Sequence, residues 1–211
     1  MAPALNDMHG GERIEVVHPL FQKEGGGSIP TSPLQFRVGQ ISKPLFKELN
    51  RKWHSRLPEC GNVFGGICFG AEFAGVLYAV GYWSAPISYH HDDGHSLELR
   101  RMAVGPDAPK NTATRFLRVM VLMLRQLRPD VWRLISYQDP AVHAGTIYKA
   151  AGWSNEGSHA QVSWSYRSGN IEQAPGDKVR WSLKLCERPT TAKDRPSPWS
   201  VKRASPQMEA F

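Results

Sequence analysis

The residues best placed to do chemistry lie between Leu134 and Trp153, in the run L-I-S-Y-Q-D-P-A-V-H-A-G-T-I-Y-K-A-A-G-W. Trp132 to Gln138 alternates as a largely buried strand does, and Pro140 stops it. After a loop holding His143 and Gly145, Thr146 is placed to cap a brief helix over Ile147 to Ala151, which Gly152 closes. Asp139 then falls at the carboxyl end of a strand and Tyr148 on the first turn of the next helix. Ligands of open α/β sheets bind at that end. A carboxylate there can accept a proton or orient an N–H group. The plainer readings are a turn residue for Asp139 and a core aromatic for Tyr148. A second cluster, H-H-D-D-G-H with His90, His91, Asp92, Asp93 and His95, has ligand types that suit iron, zinc or nickel. Neighbours on an extended chain point opposite ways, so no metal centre is expected from this run.

Positioning these groups requires alternating strands and helices. Residues 1–33 are weakly patterned, and G-G-G-S-I-P-T-S-P at 25–33 reads as a flexible linker. The pattern predicts a strand over Leu34 to Val38, then a helix capped by Ser42 and running through Trp53, with His54 just past its end. Strands are expected over Val63 to Phe69 and Gly75 to Tyr82, joined across G-A-E-F-A. Ser96 to Val104 reads as a strand with a bulge or bend near Arg100 and Arg101. Thr112 to Leu127 is amphipathic, with Phe116, Leu117, Met120 and Leu124 on one stripe and Arg118 and Arg125 opposite. Gln161 to Tyr166 and Val179 to Leu185 look like a closing antiparallel pair. The folded domain is therefore expected over 34–185, with a mobile basic tail over 186–211.

The totals narrow the class. At 211 residues, 41% of them hydrophobic, the chain suits one domain with ragged ends. No apolar run is long enough to span a membrane, and the first residues lack a signal-peptide pattern, so an intracellular, cytoplasmic protein is expected. Cys60, Cys68 and Cys186 lack zinc-type spacing and read as free thiols. The net charge of +7 resides between residues 34 and 185, where 19 basic side chains face 12 acidic ones. A positive folded domain points to an anionic partner, nucleic acid or a phosphate-bearing cofactor, with ordinary solubility as the alternative.

The order strand, helix, three strands, helix, strand, helix, two strands resembles the GNAT acetyltransferase fold, a mixed α/β domain with a central twisted sheet flanked by helices. In that family the amides opening the long helix cradle the pyrophosphate of coenzyme A, a task that suits the unpaired N–H groups of a helix start. Lys110, Asn111, Thr112 and Ala113 occupy that segment here, in place of the family's spaced glycines.

A closer resemblance rests on W-H-S-R-L-P, L-E-L-R-R-M-A-V, P-K-N-T-A-T-R-F-L and the run ending A-A-G-W, spanning Phe36 to Trp153. Together they resemble the Mom family of bacteriophage DNA-modification proteins, a divergent GNAT branch. That resemblance implies conversion of adenine N6 in DNA to a carbamoylmethyl derivative, which shields phage DNA from restriction in the bacterial cytoplasm. It implies a double-stranded DNA partner with a flipped adenine, acetyl-CoA or a related acyl donor, and iron as a further candidate cofactor. By the same resemblance His54, Arg101, Asp139 and Tyr148 are the site residues, with Arg100 as an alternative to Arg101. Each fits the chemistry: Asp139 for the amino N–H, Tyr148 for a leaving group or the base face, His54 for proton transfer, Arg101 for a phosphate or carbonyl. Two other readings stay open, an ordinary N-acetyltransferase of a small-molecule or protein amine and a non-catalytic DNA-binding protein.

Overall fold

The computed structural model describes residues 29–54, 56–60, 65–159 and 178–193. Among these residues seven strands form one sheet in the order β1-β2-β3-β4-β5-β7-β6. They are β1 (Arg37–Gln40), β2 (Ile67–Phe73), β3 (Val76–Ser84), β4 (Ser96–Val104), β5 (Arg133–Gln138), β6 (Ser154–His159) and β7 (Lys178–Lys184). Three helices join them, α1 (Lys43–Trp53), α2 (Thr112–Leu127) and α3 (Thr146–Ala150). β4 and β5 are parallel across the α2 crossover, and every other neighbouring pair is antiparallel. The element order is the one that the sequence pattern predicts.

Several boundaries differ, each for a local reason. Ser32 and Gln35 form a reciprocal cap on a single 3-10 turn, Pro33–Gln35, so the first strand begins at Arg37 rather than Leu34. The β2–β3 turn is Ala74-Gly75 alone, both at positive φ, so Glu72 and Phe73 belong to the strand rather than to a five-residue loop. The strand expected at Val63 begins at Ile67, and residues 61–64 lie outside the described residues. β6 lies at Ser154–His159, whereas the predicted partner strand, residues 161–166, is outside them as well. The tail expected from Cys186 folds back as far as Lys193, whose N–H donates to the Asp93 carbonyl at 3.1 Å. Arg188 stacks over the Trp132 ring there.

The two faces of the sheet are covered unequally. α2 and α3 lie on one face, over a core of Phe69, Trp83, Leu97, Leu99, Leu134 and Trp181 with Phe116, Leu117, Met120 and Leu124 of α2. Full burial of each such side chain contributes roughly 1.5–3 kcal/mol. A Cβ at Gly81 would stand 2.6 Å from the Met120 sulfur, so the glycine permits this close approach. On the opposite face α1 packs over β2, β3 and β4 through a smaller cluster of Phe46, Cys68, Val80, Tyr82 and Ala103. Burial pushes the Cys68 thiol up to about 12, and all three cysteines are free. The face of β5 and β7 on the α1 side carries mostly charged and polar residues instead, around the buried Ile135.

Candidate active site

A bulge brings the arginines together. Tyr82 pairs with Arg101 while Trp83 pairs with Leu99, which leaves Arg100 as an extra residue in β4. Alternation would send neighbouring side chains to opposite faces, and the extra residue breaks it. Glu98, Arg100 and Arg101 consequently share the α1 face. Arg100 Nε stands 3.4 Å from Glu98 Oε1, and Ile87 N–H donates to Glu98 Oε2 at 3.0 Å. Burial raises the Glu98 pKa, against the opposing pull of Arg100, that N–H and Arg101. Arg101 donates to the Arg100 carbonyl at 2.6 Å, and among the described residues its buried Nε has no hydrogen-bond partner. A guanidinium held this way suits an incoming anion or carbonyl oxygen.

Asp139 follows β5. Its Oδ1 accepts the Ala141 N–H at 3.1 Å, so the turn role expected of an Asp-Pro is realised. Its Oδ2 accepts a hydrogen bond from Lys178 Nζ at 2.8 Å, with Arg56 NH1 3.5 Å away. The Lys178 bond foremost, then the Ala141 amide and the charges of Lys178 and Arg56, outweigh burial and hold the carboxyl below its usual range. Gln138 fixes the loop that follows: its Nε2 donates to the His143 carbonyl, and its Oε1 accepts from Trp181 Nε1 at 2.7 Å. A Cβ at Gly145 would lie 2.5 Å from that Oε1, and φ there is +70°. Gly145, not Thr146, is therefore the N-cap of α3, and Thr146 is its first residue.

His54 is the C-cap of α1. Buried Asn50, one turn earlier, donates from Nδ2 to the carbonyls of Leu57 and Pro58 and so pins the segment that carries His54 and Arg56. Burial first, then the charges of Arg101 and His143, lower the His54 pKa. Its Nδ1 accepts the Leu57 N–H at 3.2 Å. A backbone amide only donates, so the neutral ring carries its proton on Nε2 and presents a donor there.

Arg101 and Asp139 border a fork in the sheet, with His54 within reach of the Arg101 charge. β4 and β5 pair only from Ser96↔Arg133 to Leu99↔Ser136. Beyond that point β4 continues to Val104, while β5 ends against β7. Arg101 lies on one prong, Asp139 follows the tip of the other, and His54 feels the Arg101 charge from α1. The Arg100–Val104 prong leads directly into Lys110, Asn111, Thr112 and Ala113. Asn111 takes the left-handed conformation and gives no side-chain cap to α2, while the Thr112 hydroxyl donates to the Pro109 carbonyl at 2.7 Å. An uncapped start on a sixteen-residue helix, beside an unpaired strand edge, fits a phosphate-bearing acyl carrier.

Tyr148 is not part of that group. The expectation that Asp139 and Tyr148 open into one pocket fails because their side chains lie on opposite faces of the sheet. Tyr148 is 7% exposed, stacks on Trp181 at 5.4 Å between ring centroids and meets Trp153 edge-on. Its hydroxyl lies 2.8 Å from Ser136 Oγ, and burial raises its pKa against that hydrogen bond. With its ring between two tryptophans it has no face left for a base. Sequence reasoning missed Arg56 and Lys178. Arg56 lay within W-H-S-R-L-P, and Lys178 sits opposite Asp139 because Gln138 pairs with Val179.

The histidine-aspartate run is engaged elsewhere. Asp93 accepts from Trp132 Nε1 at 2.7 Å, His91 Nε2 contacts Arg180 NH1 at 2.7 Å, and His95 Nδ1 contacts the Asp130 carbonyl at 2.8 Å. Among the described residues no three His, Cys, Asp or Glu side chains are placed to hold a metal ion, so the candidate iron finds no fitting ligand set there. Among the same residues no helix is long and apolar enough to cross a membrane.

Comparison with known proteins agrees with this architecture. The profile of the Mom protein family matches residues 35–181. No curated protein sequence matches the chain. The ribosomal-protein-S18-alanine N-acetyltransferase of Escherichia coli is similar with a TM-score of 0.54 at 12% identity, over 74% of this chain and 97% of that one. The ribosomal-protein-alanine N-acetyltransferase of Brucella melitensis gives 0.52 at 15%, over 70% and 99%. The acetyltransferase yncA of Salmonella typhimurium, solved with its cofactor acetyl-CoA, gives 0.53 at 12%, over 77% and 98%. At such identities the likeness shows the fold, that of the GNAT acetyltransferases.

Proposed function

Because this chain belongs to the Mom protein family, we propose that it is a DNA-modifying transferase that converts adenine N6 to its carbamoylmethyl derivative and so protects phage DNA from restriction. The observation that carries the reading is the cationic face at the β4–β5 fork, where the carboxylate of Asp139 is held by Lys178 and Arg56 on one prong and half-buried Arg101 lies on the other, close enough for its charge to reach His54.

Adenine N6 is a weak nucleophile because its lone pair is delocalised, and in a duplex it is reached only after the base leaves the stack. In this reading Asp139 Oδ2 accepts the N6–H and orients the amino group. Lys178 keeps the carboxylate ionised while it does so. Arg56 is the more exposed and more distant partner, and it exchanges Asp139 for a DNA phosphate as the base enters. His54, neutral with its proton on Nε2, donates a hydrogen bond to the oxygen that gains charge as the new bond forms. Arg101 receives the donor's carbonyl or an anionic group. Acetyl-CoA or a related acyl donor would supply a two-carbon unit. Because plain acyl transfer leaves an N6-acetyl group, the carbamoylmethyl product requires that N6 bond to a CH2 carbon as a leaving group departs from it, and that the donor also bring the amide nitrogen. Lys110, Asn111, Thr112 and Ala113 would hold its phosphates, as the acetyl-CoA of the structural relative yncA suggests.

Nucleoside mass spectrometry of DNA from cells expressing the chain tests this directly. The expected result is an altered deoxyadenosine that disappears with Asp139→Ala. An unchanged nucleoside profile with well-expressed protein would remove the proposal. Thiol release from acetyl-CoA with a simple amine, and no change in DNA, would point to an ordinary N-acetyltransferase.

A further inference from the structure

The loop joining β3 to β4, residues 85–95, presents two large apolar side chains to solvent beside the charged cleft. Ile87 is 62% exposed and Tyr89 60%. The loop is nevertheless tied down along its length. Ile87 N–H donates to buried Glu98, the amides of His91 and Asp92 return to the Ser88 carbonyl, and His91 reaches Arg180 across β7. Asp93 and His95 anchor its far end on Trp132 and the Asp130 carbonyl. Its contacts place it on the α1 face, over the half of the sheet that α1 does not cover. Arg180 is two positions along β7 from Lys178, the partner of Asp139, and alternation puts both on that face.

We infer that this loop is the wedge that opens the duplex: Ile87 and Tyr89 enter the base stack at the position the target adenine vacates. The inference rests on the DNA reading above and adds to it the surface that reaches the helix. Charge complementarity selects DNA as the occupant. The loop contacts Arg180 through His91, and Arg180, Lys178, Arg56, Arg100 and Arg101 share its face, five cations against the three carboxylates Glu98, Asp139 and Glu156 that pair with four of them, which leaves a net positive surface for a phosphate backbone. Apolar side chains inserted between base steps unstack them, and a pinned loop has little further order to gain on binding.

The test compares wild type with Ile87→Ser/Tyr89→Ser in the full chain. Thymines left unstacked opposite an extruded adenine react with permanganate, so plasmid DNA reports opening without knowledge of the target sequence. The expected result is loss of the wild-type permanganate pattern and a fall of about tenfold or more in altered deoxyadenosine, because unstacking then goes uncompensated. Salt-dependent plasmid binding should stay within about twofold, since the phosphate contacts remain. An unchanged melting temperature, expected for exposed positions, confirms that the variant folds. Wild-type levels of modification and permanganate reactivity in the variant would overturn the wedge and leave the proposed function standing. Loss of self-association on sedimentation with modification intact would also overturn it, assigning the patch to contact between copies. A wild type that neither binds nor alters DNA would remove both readings.

Discussion

The two faces of this sheet are made from the same strands yet obey different rules. On the α2 side successive strands deliver Phe69, Trp83, Leu99, Leu134 and Trp181 to one continuous apolar layer, and even the hydroxyl of Tyr148 is taken up by Ser136. On the α1 side the apolar cluster stops short, and Glu98, Arg100, Arg101, Tyr137, Asp139, Lys178 and Arg180 occupy the rest. Buried charge is costly unless paired, so a chain that keeps several arginines there has a use for them beyond stability. The scaffold occupies one side of the sheet and the proposed chemistry the other, with Tyr148 and Asp139, nine positions apart, divided between them.

The division predicts that damage on each face reads out differently. Asp139→Asn should lower the altered deoxyadenosine by about two orders of magnitude or more at only a small cost to melting, that of its partly exposed ion pairs with Lys178 and Arg56, since the group lost chiefly serves proton handling and orientation. Nucleoside mass spectrometry beside a thermal melt checks both halves. Trp181→Ala should do the reverse and destabilise by about 3–5 kcal/mol, because it empties a core site and strips Gln138 Oε1 of its donor, as denaturant unfolding would measure. Tyr148→Phe sharpens the contrast. Removing the hydroxyl should cost about 1 kcal/mol through Ser136 and leave modification within a few-fold of wild type. A hundred-fold loss of product in a stable Tyr148→Phe protein would break the division, because Ser136 is the last β5 residue paired with β4 and the hydroxyl would then be acting at the foot of the fork.

Legibility followed the same line. The 3.6-residue stripe of Phe116, Leu117, Met120 and Leu124 gave the limits of α2 correctly, and alternation located β1 to β5 and β7 to within a few residues, whereas β6 was not foreseen. A slip of three or four positions occurred where capping by Ser32 and Gln35 or the Ala74-Gly75 turn outweighed alternation. The bend near Arg100 was readable because two consecutive arginines interrupt the apolar alternation. What the bulge does, placing both on one face, needs the register against Tyr82 and Trp83. Arg56 and Lys178 were out of reach for a related reason: ion pairs joining residues 56, 139 and 178 are long-range contacts with no local pattern. The family resemblance named His54, Arg101 and Asp139, of which the structure couples His54 with Arg101 and puts Asp139 on the neighbouring strand end, whereas the facing of Tyr148 depends on where α3 packs.

Smaller effects probe the open face more finely. Arg56→Ala should weaken binding to plasmid DNA and reduce the slope of log affinity against log salt by about 0.9, the loss of one phosphate contact. Filter binding over a salt series measures this. An unchanged slope would mean that Arg56 serves Asp139 alone.

The smallest effect concerns His54 and follows from its lowered pKa. Folded protein keeps the ring neutral below the ordinary value of 6.5, whereas the unfolded chain takes up a proton there. The unfolded state then binds more protons, so stability falls as pH drops from about 6.5 toward the folded pKa, and this group adds no slope above that window. Asp139 has the opposite charge type: its stabilisation is fully present above the ordinary 3.8 and is lost as pH falls from there through the lower folded pKa, a lower and separate window. His54→Gln keeps a side-chain donor but cannot titrate, so it should flatten melting temperature against pH just below 6.5 while leaving the acid limb below 3.8 in place. Because that ring sits on the α1 face, a variant with an unflattened profile would show that His54 is neither buried nor reached by the charges of Arg101 and His143, and the proposed site would lose it.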